Sequence, residues 1–140
     1  MTTVNLNELE LTEFTGSKNP KQHCRATFPM LGAHGTKNSA TVLIELAPGD
    51  HLGRHTDSAE ELLLILEGHV EVSVGEETGP ASKGTIALVP EMVPHDIKNT
   101  GETTAKILGF FGGANNIVAT FDEAWLQMAS NSVHTASVSG

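Results

Sequence analysis

The hydrophobic positions of this chain fall into short runs, several of which alternate with polar residues. Residues 69–74 carry valine at every second position, so three apolar side chains share one face of an extended segment. Residues 40–46 form an apolar, β-branched run, and residues 62–66 are continuously apolar. The same criteria predict further strands at residues 85–89, 95–98, 103–111 and 116–120. Many short strands separated by Gly and Pro favour an all-β sandwich or barrel.

The chain is interpreted as a single domain covering residues 1–130, since its length suits one hydrophobic core. Residues 1–20 are expected to form an N-terminal arm, and residues 4–14 within it resemble an edge strand with mixed acidic and apolar positions. Two segments rich in Gly and polar side chains, residues 31–39 and 75–83, are interpreted as loops.

The C-terminal part of the chain has a weaker pattern. Asp122 is suited to cap one short helix that would include Trp125 and Met128. Residues 131–140 are rich in Ser, Thr and Ala and contain little that could be buried. We therefore expect a loose tail from residue 131 onward.

Composition and charge narrow the class of protein. Of the 140 residues, 39% are hydrophobic, and the formal net charge is −9. Because there is no run of Lys or Arg, we expect no nucleic-acid partner. No apolar stretch approaches the roughly 20 residues that cross a bilayer, so we expect no membrane span. The single cysteine, Cys24, has no internal partner, and the N-terminus lacks a signal-peptide pattern, which together indicate the cytoplasm.

Two histidines and two acidic residues are candidates for a metal site. His55 and Asp57 are two positions apart, so on a strand they share a face with Cα atoms about 6.6 Å apart. Such side chains can converge on one ion at about 2.0–2.2 Å from each donor atom. Glu61 opens the next predicted strand and His95 opens a later one, so both could reach the same point. His51 lies roughly 13 Å from His55 along a straight strand and is placed at the rim.

The residues alone leave alternatives open. Glu60 would replace Glu61 if the strand register shifted by one position. Asp57 has a short side chain and would act through water if it did not reach the ion directly. The segment at residues 109–113 suits either a mobile lip of a pocket or a corner of a barrel. Cys24 is interpreted as a small buried residue.

The four candidates belong to two spaced motifs. The first has the form G-x5-H-x-H-x3-E-x6-G, and the second has the form G-x5-P-x-G-x2-H-x3-N. The chain meets every spacing with Gly49, His55, Asp57, Glu61 and Gly68, and then with Gly84, Pro90, Met92, His95 and Asn99. These segments resemble the two signature motifs of the cupin family. Asp57 stands where the family usually has a second histidine, and Met92 stands where it usually has glycine.

The resemblance implies a cupin double-stranded β-helix, which is a jelly-roll barrel, with at most one short C-terminal helix added. It also implies one divalent metal ion per chain, Fe, Mn, Ni or Zn, held by His55, Asp57, Glu61 and His95. An aspartate in place of a histidine makes the site more anionic and favours Fe(II) or Mn(II) over copper. Met92 is expected to lie in a re-shaped turn and to line the pocket.

The function implied by the resemblance is an enzyme that binds a small-molecule substrate through a carboxylate, carbonyl or enol oxygen. Dioxygenase-like oxidation is favoured over metal-assisted isomerisation or decarboxylation. Because the chain has no tyrosine, it lacks a residue used by cupin sugar epimerases and by crosslinked thiol dioxygenases. The alternative is a non-catalytic cupin that binds a metal or small ligand as a sensor or accessory protein. Cupins commonly pair, so a homodimer is expected, with residues 4–14 exchanged between chains.

Overall fold

A computed structural model describes residues 1–128 and 130–137. The strands in this part of the chain are β1 (Thr12–Thr15), β2 (His23–Thr27), β3 (Ser39–Leu46), β4 (His55–Asp57), β5 (Glu61–Glu67), β6 (His69–Val74), β7 (Glu77–Ser82), β8 (Ile86–Val89), β9 (His95–Asn99), β10 (Ala105–Gly112), β11 (Val118–Phe121) and β12 (Ser132–His134). The helical segments described are 3-10 turns at Leu6–Glu8, Gly32–His34 and Thr135–Ser137. The prediction of an all-β fold is confirmed.

The strands of the described residues form two six-stranded sheets that pack face to face. The first sheet has the order β1-β2-β3-β10-β5-β8, and the second has the order β12-β11-β4-β9-β6-β7. The ladders that join neighbouring strands are antiparallel. Strands far apart in sequence are neighbours in space, as for β3 and β10, which pair from Ser39 opposite Gly112 to Leu46 opposite Ala105. This is the jelly-roll arrangement that the resemblance implies.

The hydrophobic core lies between the two sheets because alternate residues of each strand point inward. In β10 the inward positions include Ala105, Ile107 and Phe111, and in β3 they include Val42 and Ile44. The core is mostly aliphatic, as the composition requires. Among the described residues, no helix has the length and hydropathy needed to cross a membrane.

The predicted helix after Asp122 is wrong, because this segment pairs with the N-terminal part of the chain. Trp125 forms an isolated bridge with Gly16, and the Leu126 N–H donates to the Thr15 carbonyl at 2.8 Å. The Glu123 carboxylate accepts from the backbone N–H groups of Lys18 and Asn19 at 2.9 and 2.8 Å. We call residues 15–19 together with residues 123–127 the clasp. In a helix, the backbone groups of this segment would bond to residues three or four positions away in the chain. Here they bond instead to the N-terminal part of the chain.

Two other segments are more ordered than expected. Residues 77–82, interpreted as part of a loop, form β7, which is an edge strand and therefore tolerates Pro80. Within the segment expected as a loose tail, Ser132–His134 form β12 and pair with β11. Thr135 is buried, and its hydroxyl accepts from the Ile117 N–H at 2.8 Å. The last part of the expected tail, residues 138–140, lies outside the described residues.

Candidate metal centre

The four residues predicted as metal ligands lie together at the wall of the core, and both sheets contribute to the group. His55 and Asp57 point inward from β4 in the second sheet, where His55 is directly opposite His95 of β9. Glu61 is the first residue of β5 and reaches in from the first sheet. The side chains are almost fully buried, with exposures of 5% for His55, 3% for Asp57, 3% for Glu61 and 1% for His95.

The donor atoms of this group are close to one another. Asp57 Oδ2 is 2.9 Å from His95 Nε2 and 3.6 Å from His55 Nε2. Glu61 Oε1 is 3.4 Å from His95 Nε2. His55, Asp57 and His95 each offer one ligand atom within 4.8 Å of the others, which is a spacing that could hold a metal ion. Glu61 lies beside this trio through its contact with His95.

Local hydrogen bonds fix which nitrogen of each histidine faces the group. His55 Nδ1 donates to the Gly53 carbonyl at 2.7 Å, and His95 Nδ1 donates to the Val93 carbonyl at 2.9 Å. Each ring therefore directs the lone pair of Nε2 toward the carboxylates of Asp57 and Glu61. Lone pairs that face carboxylates inside a protein repel unless a proton or a metal cation lies between them.

Unpaired atoms show that the group fits a cation. Among the described residues, Asp57 Oδ2 and His95 Nε2 are buried and, with His95 neutral, have no hydrogen-bond partner, although they are 2.9 Å apart. Buried polar atoms without partners are costly, so native proteins rarely keep them without a ligand. Two imidazole nitrogens and two carboxylates form a donor set that suits Fe(II), Mn(II), Ni(II) or Zn(II).

The electrostatics of the metal-free group lead to the same conclusion. Burial lowers the pKa of His55, although the Asp57 carboxylate opposes this effect. Burial raises the pKa of Glu61 to about 7, against the opposing contact with His95. Burial alone would lower the pKa of His95, but the carboxylates of Asp57 and Glu61 outweigh it and raise that pKa to about 10. Without a metal, His95 therefore keeps its proton at neutral pH, and Glu61 keeps one below about pH 7. These protons offset the negative charge of the buried carboxylates, as a metal cation would.

Gly109 makes space for Glu61, a role that was not predicted from the sequence. On β10, a Cβ added at Gly109 would overlap Glu61 Oε2 and approach Val42 Cγ1 to 2.8 Å. A larger residue would thus displace the carboxylate from the site. A glycine in the middle of an apolar strand was the available signal, because it often marks close approach of another group.

The group faces a cavity of about 80 Å³ with apolar walls. The Phe121 ring stacks on His55, with centroids 4.5 Å apart and an interplanar angle of 17°, and Trp125 meets Phe121 edge-on at 5.2 Å. Cys24 also lines this cavity, and burial raises the pKa of its thiol to about 12, so the thiol is neutral. Neither Phe121 nor Trp125 had a sequence signal for this role, because long-range pairing brings both to the site.

Three other residues that the sequence placed in or near the site lie away from the cavity. Glu60 is exposed, so the shifted register that would replace Glu61 does not occur. His51 lies on the outer side of the second sheet, where it pairs with Asp96. Met92 keeps a positive φ of 62° and is 57% exposed, so the expectation of a re-shaped turn with Met92 in the pocket is wrong. The turn keeps the shape suited to glycine because the Met92 N–H donates to the Asp57 carbonyl at 2.9 Å.

Solved structures share this fold at low sequence identity. A variant of Bacillus subtilis oxalate decarboxylase aligns at 18% identity with a TM-score of 0.72, over 85% of this chain and 31% of that one. The polyketide cyclase RemF from Streptomyces resistomycificus aligns at 16% identity and a TM-score of 0.65, over 80% and 79% of the two chains. A cupin-superfamily sugar phosphate isomerase from Silicibacter pomeroyi aligns at 19% identity and a TM-score of 0.60, over 86% and 82%.

These identities show a common fold and no more. No curated protein matches the chain in sequence. The family model for the cupin domain matches residues 42–111, which is half of the 140-residue chain and includes all four residues of the candidate metal centre. The protein belongs to the cupin family.

Proposed function

We propose that this protein is a metal-dependent enzyme that acts on a small, mostly apolar molecule through one or two of its oxygen atoms. Dioxygenase-like oxidation is favoured, and metal-assisted isomerisation or decarboxylation is the second reaction class. The observation that carries the proposal is the convergence of two imidazole nitrogens and two carboxylates, with unpaired buried atoms, at the wall of an apolar cavity.

One divalent ion per chain would be held by His55, Asp57, Glu61 and His95. With neutral histidines and ionised carboxylates, the ligands carry two negative charges and balance a divalent cation, which lowers the cost of burying it. When bound, such an ion supplies a Lewis acid and, if it is redox-active like iron, a means of activating O₂. The paired Nδ1 contacts with Gly53 and Val93 orient both rings for binding.

The size of the cavity limits the substrate. Its volume is about 80 Å³. An apolar protein cavity of roughly 150 Å³ is known to hold benzene, so the part of a substrate enclosed here is smaller than an aromatic ring unless the walls move. The enclosed part therefore consists of a few non-hydrogen atoms.

The chemistry of the walls limits the substrate further. Among the described residues that line the cavity, none is Lys or Arg, and the polar side chains are those of the candidate metal centre and Cys24. A phosphate would find no cationic side chain there, and a sugar would leave several hydroxyl groups unpaired. A carbonyl, enol or carboxylate group attached to a short apolar portion fits better, since the metal would satisfy its oxygens.

The proposal is tested by metal content and affinity. Untagged protein is stripped, reloaded anaerobically with Fe(II), Mn(II), Ni(II) or Zn(II), and assayed by elemental analysis and titration. We expect about one equivalent per chain in the wild type, and at least ~100-fold weaker binding in His95→Ala because a ligand is lost. His69→Ala is the control, since His69 is exposed on β6. Wild-type protein that stays metal-free after reloading would contradict the proposal.

Catalysis is tested separately on the loaded protein. Oxygen uptake is measured with small enolic and 1,3-dicarbonyl compounds, and product formation is measured under anaerobic conditions for the isomerase and decarboxylase classes. Consumption of O₂ that depends on substrate and on His95 supports the dioxygenase class. Stoichiometric metal with no turnover in any of these assays favours the non-catalytic binding protein instead.

We also infer that the chain forms a homodimer through the outer face of the first sheet, rather than by the expected exchange of residues 4–14, because residues 12–14 pair with β2 of their own chain. Four exposed apolar side chains lie on adjacent strands of this face: Leu62 at 39% exposure, Ile86 at 62%, Leu88 at 55% and Phe110 at 43%. Leu62 is directly opposite both Leu88 and Phe110. Monomers rarely leave a contiguous apolar patch above a few hundred Å² uncovered, and a second copy of the chain could cover this one through an isologous contact.

Sedimentation velocity tests this inference. Ile86→Glu should convert a wild-type dimer to monomer, whereas Leu126→Glu, at a leucine 63% exposed in the clasp, should not. A monomeric wild type at micromolar concentration would overturn it.

We also propose that the protein is cytoplasmic, because the free, buried Cys24 agrees with a reducing compartment.

A further inference from the structure

A chain of hydrogen bonds on the outside of the second sheet reaches the predicted metal ligand His55. It runs from His51 to Asp96, from Asp96 to Gly53, and from Gly53 to the His55 ring. We propose that Asp96, held by His51, is a positioning residue that fixes the backbone at Gly53 and thereby sets the orientation of the His55 imidazole. The inference rests on the proposed metal site and adds to it a residue that does not touch the cavity.

Strand alternation puts Asp96 in a suitable place for this role. On β9 its neighbours His95 and Ile97 point inward and are fully buried, so Asp96 points to the opposite face of the sheet. There both of its carboxylate oxygens have partners. Oδ1 accepts from the N–H groups of Gly53 and Ile97 at 2.8 and 2.7 Å, and Oδ2 accepts from His51 Nδ1 at 2.9 Å.

Gly53 connects this carboxylate to the metal ligand. Its N–H is held by Asp96, and its carbonyl accepts from His55 Nδ1 at 2.7 Å. Gly53 has a φ of +105°, and the space beside its Cα is filled by the side chain of Gln22. Because Gln22 restrains one side of Gly53 and Asp96 restrains the other, the direction of the Gly53 carbonyl is fixed, and that carbonyl selects the Nδ1–H tautomer of His55.

His51 completes the arrangement as the donor to Asp96. Its own backbone is held on both sides, since its N–H donates to the Lys21 carbonyl at 2.9 Å and its carbonyl accepts from the His23 N–H at 3.1 Å. The imidazole can therefore hold the Asp96 carboxylate in one rotamer. Among the described residues, no carboxylate binds the N–H of Val93 in a similar way, so this support is specific to His55.

A neighbouring pair offers a matched control. Asp50 Oδ2 contacts His23 Nδ1 at 2.9 Å, the same distance as in the pair of His51 and Asp96. Asp50 immediately precedes His51 in the chain, yet its carboxylate does not bind Gly53 or any residue of the metal centre. Loss of a histidine–aspartate pair can thus be compared with loss of the contact to Gly53.

Metal affinity is the first measurement. Mn²⁺ titrations followed by electron paramagnetic resonance are made on wild type, Asp96→Ala, Asp96→Asn and Asp50→Ala. Asp96→Ala should weaken binding about 10–100-fold, the usual effect of removing a group that orients a metal ligand. Asp96→Asn should restore most of the affinity, because its carbonyl oxygen can still accept from Gly53. Asp50→Ala should stay within about twofold of wild type.

The His55 ring nitrogens give a second measurement that needs no metal. In metal-free wild type, ¹⁵N-detected NMR of the imidazole should show the proton on Nδ1, with slow exchange against solvent. Asp96→Ala should show faster exchange or a mixture of tautomers, and Asp50→Ala should not. If Asp96→Ala fails to fold, His51→Phe, which removes the donor to Asp96 and leaves the Asp96 contact with Gly53 in place, should still accelerate this exchange.

The outcomes separate the two proposals. A wild type that binds no metal contradicts the proposed function, whereas the ring-nitrogen signals of His55 still decide the role of Asp96. The inference is overturned if Asp96→Ala keeps both its Mn²⁺ affinity and the wild-type tautomer of His55. It is also overturned if Asp50→Ala loses as much affinity as Asp96→Ala, because the effect would then reflect general loosening of the segment.

Discussion

Each histidine of the candidate metal centre is oriented by the backbone two residues before it. His55 bonds to the carbonyl of Gly53, and His95 bonds to the carbonyl of Val93. Because the partners are so close in sequence, the Nε2 lone pairs are directed inward before any ion binds. The site is therefore organised in advance for a cation, and in the metal-free protein protons occupy it instead.

Proton competition predicts a two-part pH dependence of metal affinity. The pKa of His95 is raised to about 10, so a proton must leave His95 on metal binding at any pH below that value. The pKa of Glu61 is raised to about 7, so below pH 7 a second proton must leave as well. As the pH is lowered, metal affinity should therefore fall about tenfold per unit down to pH 7 and about a hundredfold per unit below pH 7.

The measurement is a series of Mn²⁺ titrations between pH 5.5 and 8.5. Glu61→Gln removes the second titrating group and should bind more weakly, but with a single slope throughout the range. A wild-type affinity that does not change with pH would show that the metal-free site does not retain these protons.

Met92 carries a local strain that can be relieved. A non-glycine residue at a φ of 62° costs roughly 1–2 kcal/mol, and the side chain is 57% exposed, so little packing is lost on truncation. Met92→Gly removes this strain, but glycine also increases the conformational entropy of the unfolded chain, which destabilises the folded state by about 0.4–1 kcal/mol. We expect a net stabilisation of about 0.5–1 kcal/mol in urea unfolding. Met92→Ala keeps the strain and should be neutral, so an equal gain in both variants would contradict the explanation.

At the scale of the elements, the four candidate ligands lie on strands, and their positions on those strands were predicted well from the sequence. Alternation along β4 puts His55 and Asp57 on one face, and two motif spacings place Glu61 and His95 at the starts of strands. These are local relations, so spacing along the chain was enough to predict them. The metal binding that the spacing implies stays a prediction.

Other parts of the structure depend on pairing between distant segments. The edge strand β7, the short strand β12 and the clasp have weak apolar patterns, and backbone bonds to other strands define them. Gly109 adjoins Glu61 only because β10 and β5 pair in one register. Local patterns contain no information on such partners, which is why these features were missed or assigned to loops.

Gly109 on β10 allows a direct test of this register. Gly109→Ala should push Glu61 from the site and press on Val42, destabilising the protein by about 1–3 kcal/mol, as overpacking usually does, and weakening metal binding. Gly112→Ala is the control on the same strand, since its Cβ would meet only Phe110 at 3.9 Å. Chemical denaturation and Mn²⁺ titration measure both effects. Equal behaviour of the two variants would argue against the close approach at Gly109.

At the scale of the whole molecule, the candidate metal centre joins the two sheets. Asp57 and both histidines come from the second sheet, and Glu61 comes from the first. An ion that binds all four residues would connect the layers at a point that is otherwise apolar. Binding should therefore stabilise the fold as a whole rather than one strand.

Thermal unfolding tests whether the ion stabilises the folded protein. At a free metal concentration of about 100 times Kd, the native state gains about 2.7 kcal/mol. For a domain of this size, the Tm should rise by about 10 °C. His95→Ala should rise by no more than about 2 °C under the same conditions, and His69→Ala should match the wild type. A wild-type Tm that does not rise with added metal would show that the ion does not bind preferentially to the folded protein.

The clasp also has a consequence for the order in which the molecule is built. All four candidate ligand residues precede residue 100, whereas Phe121 and Trp125, which line the cavity, follow β10 in the chain. On the ribosome, the ligand strands emerge before the segment that pairs with Gly16. The four candidate ligands therefore leave the ribosome while that end of the cavity is still open, which would allow a metal ion to reach them before Phe121 and Trp125 close it.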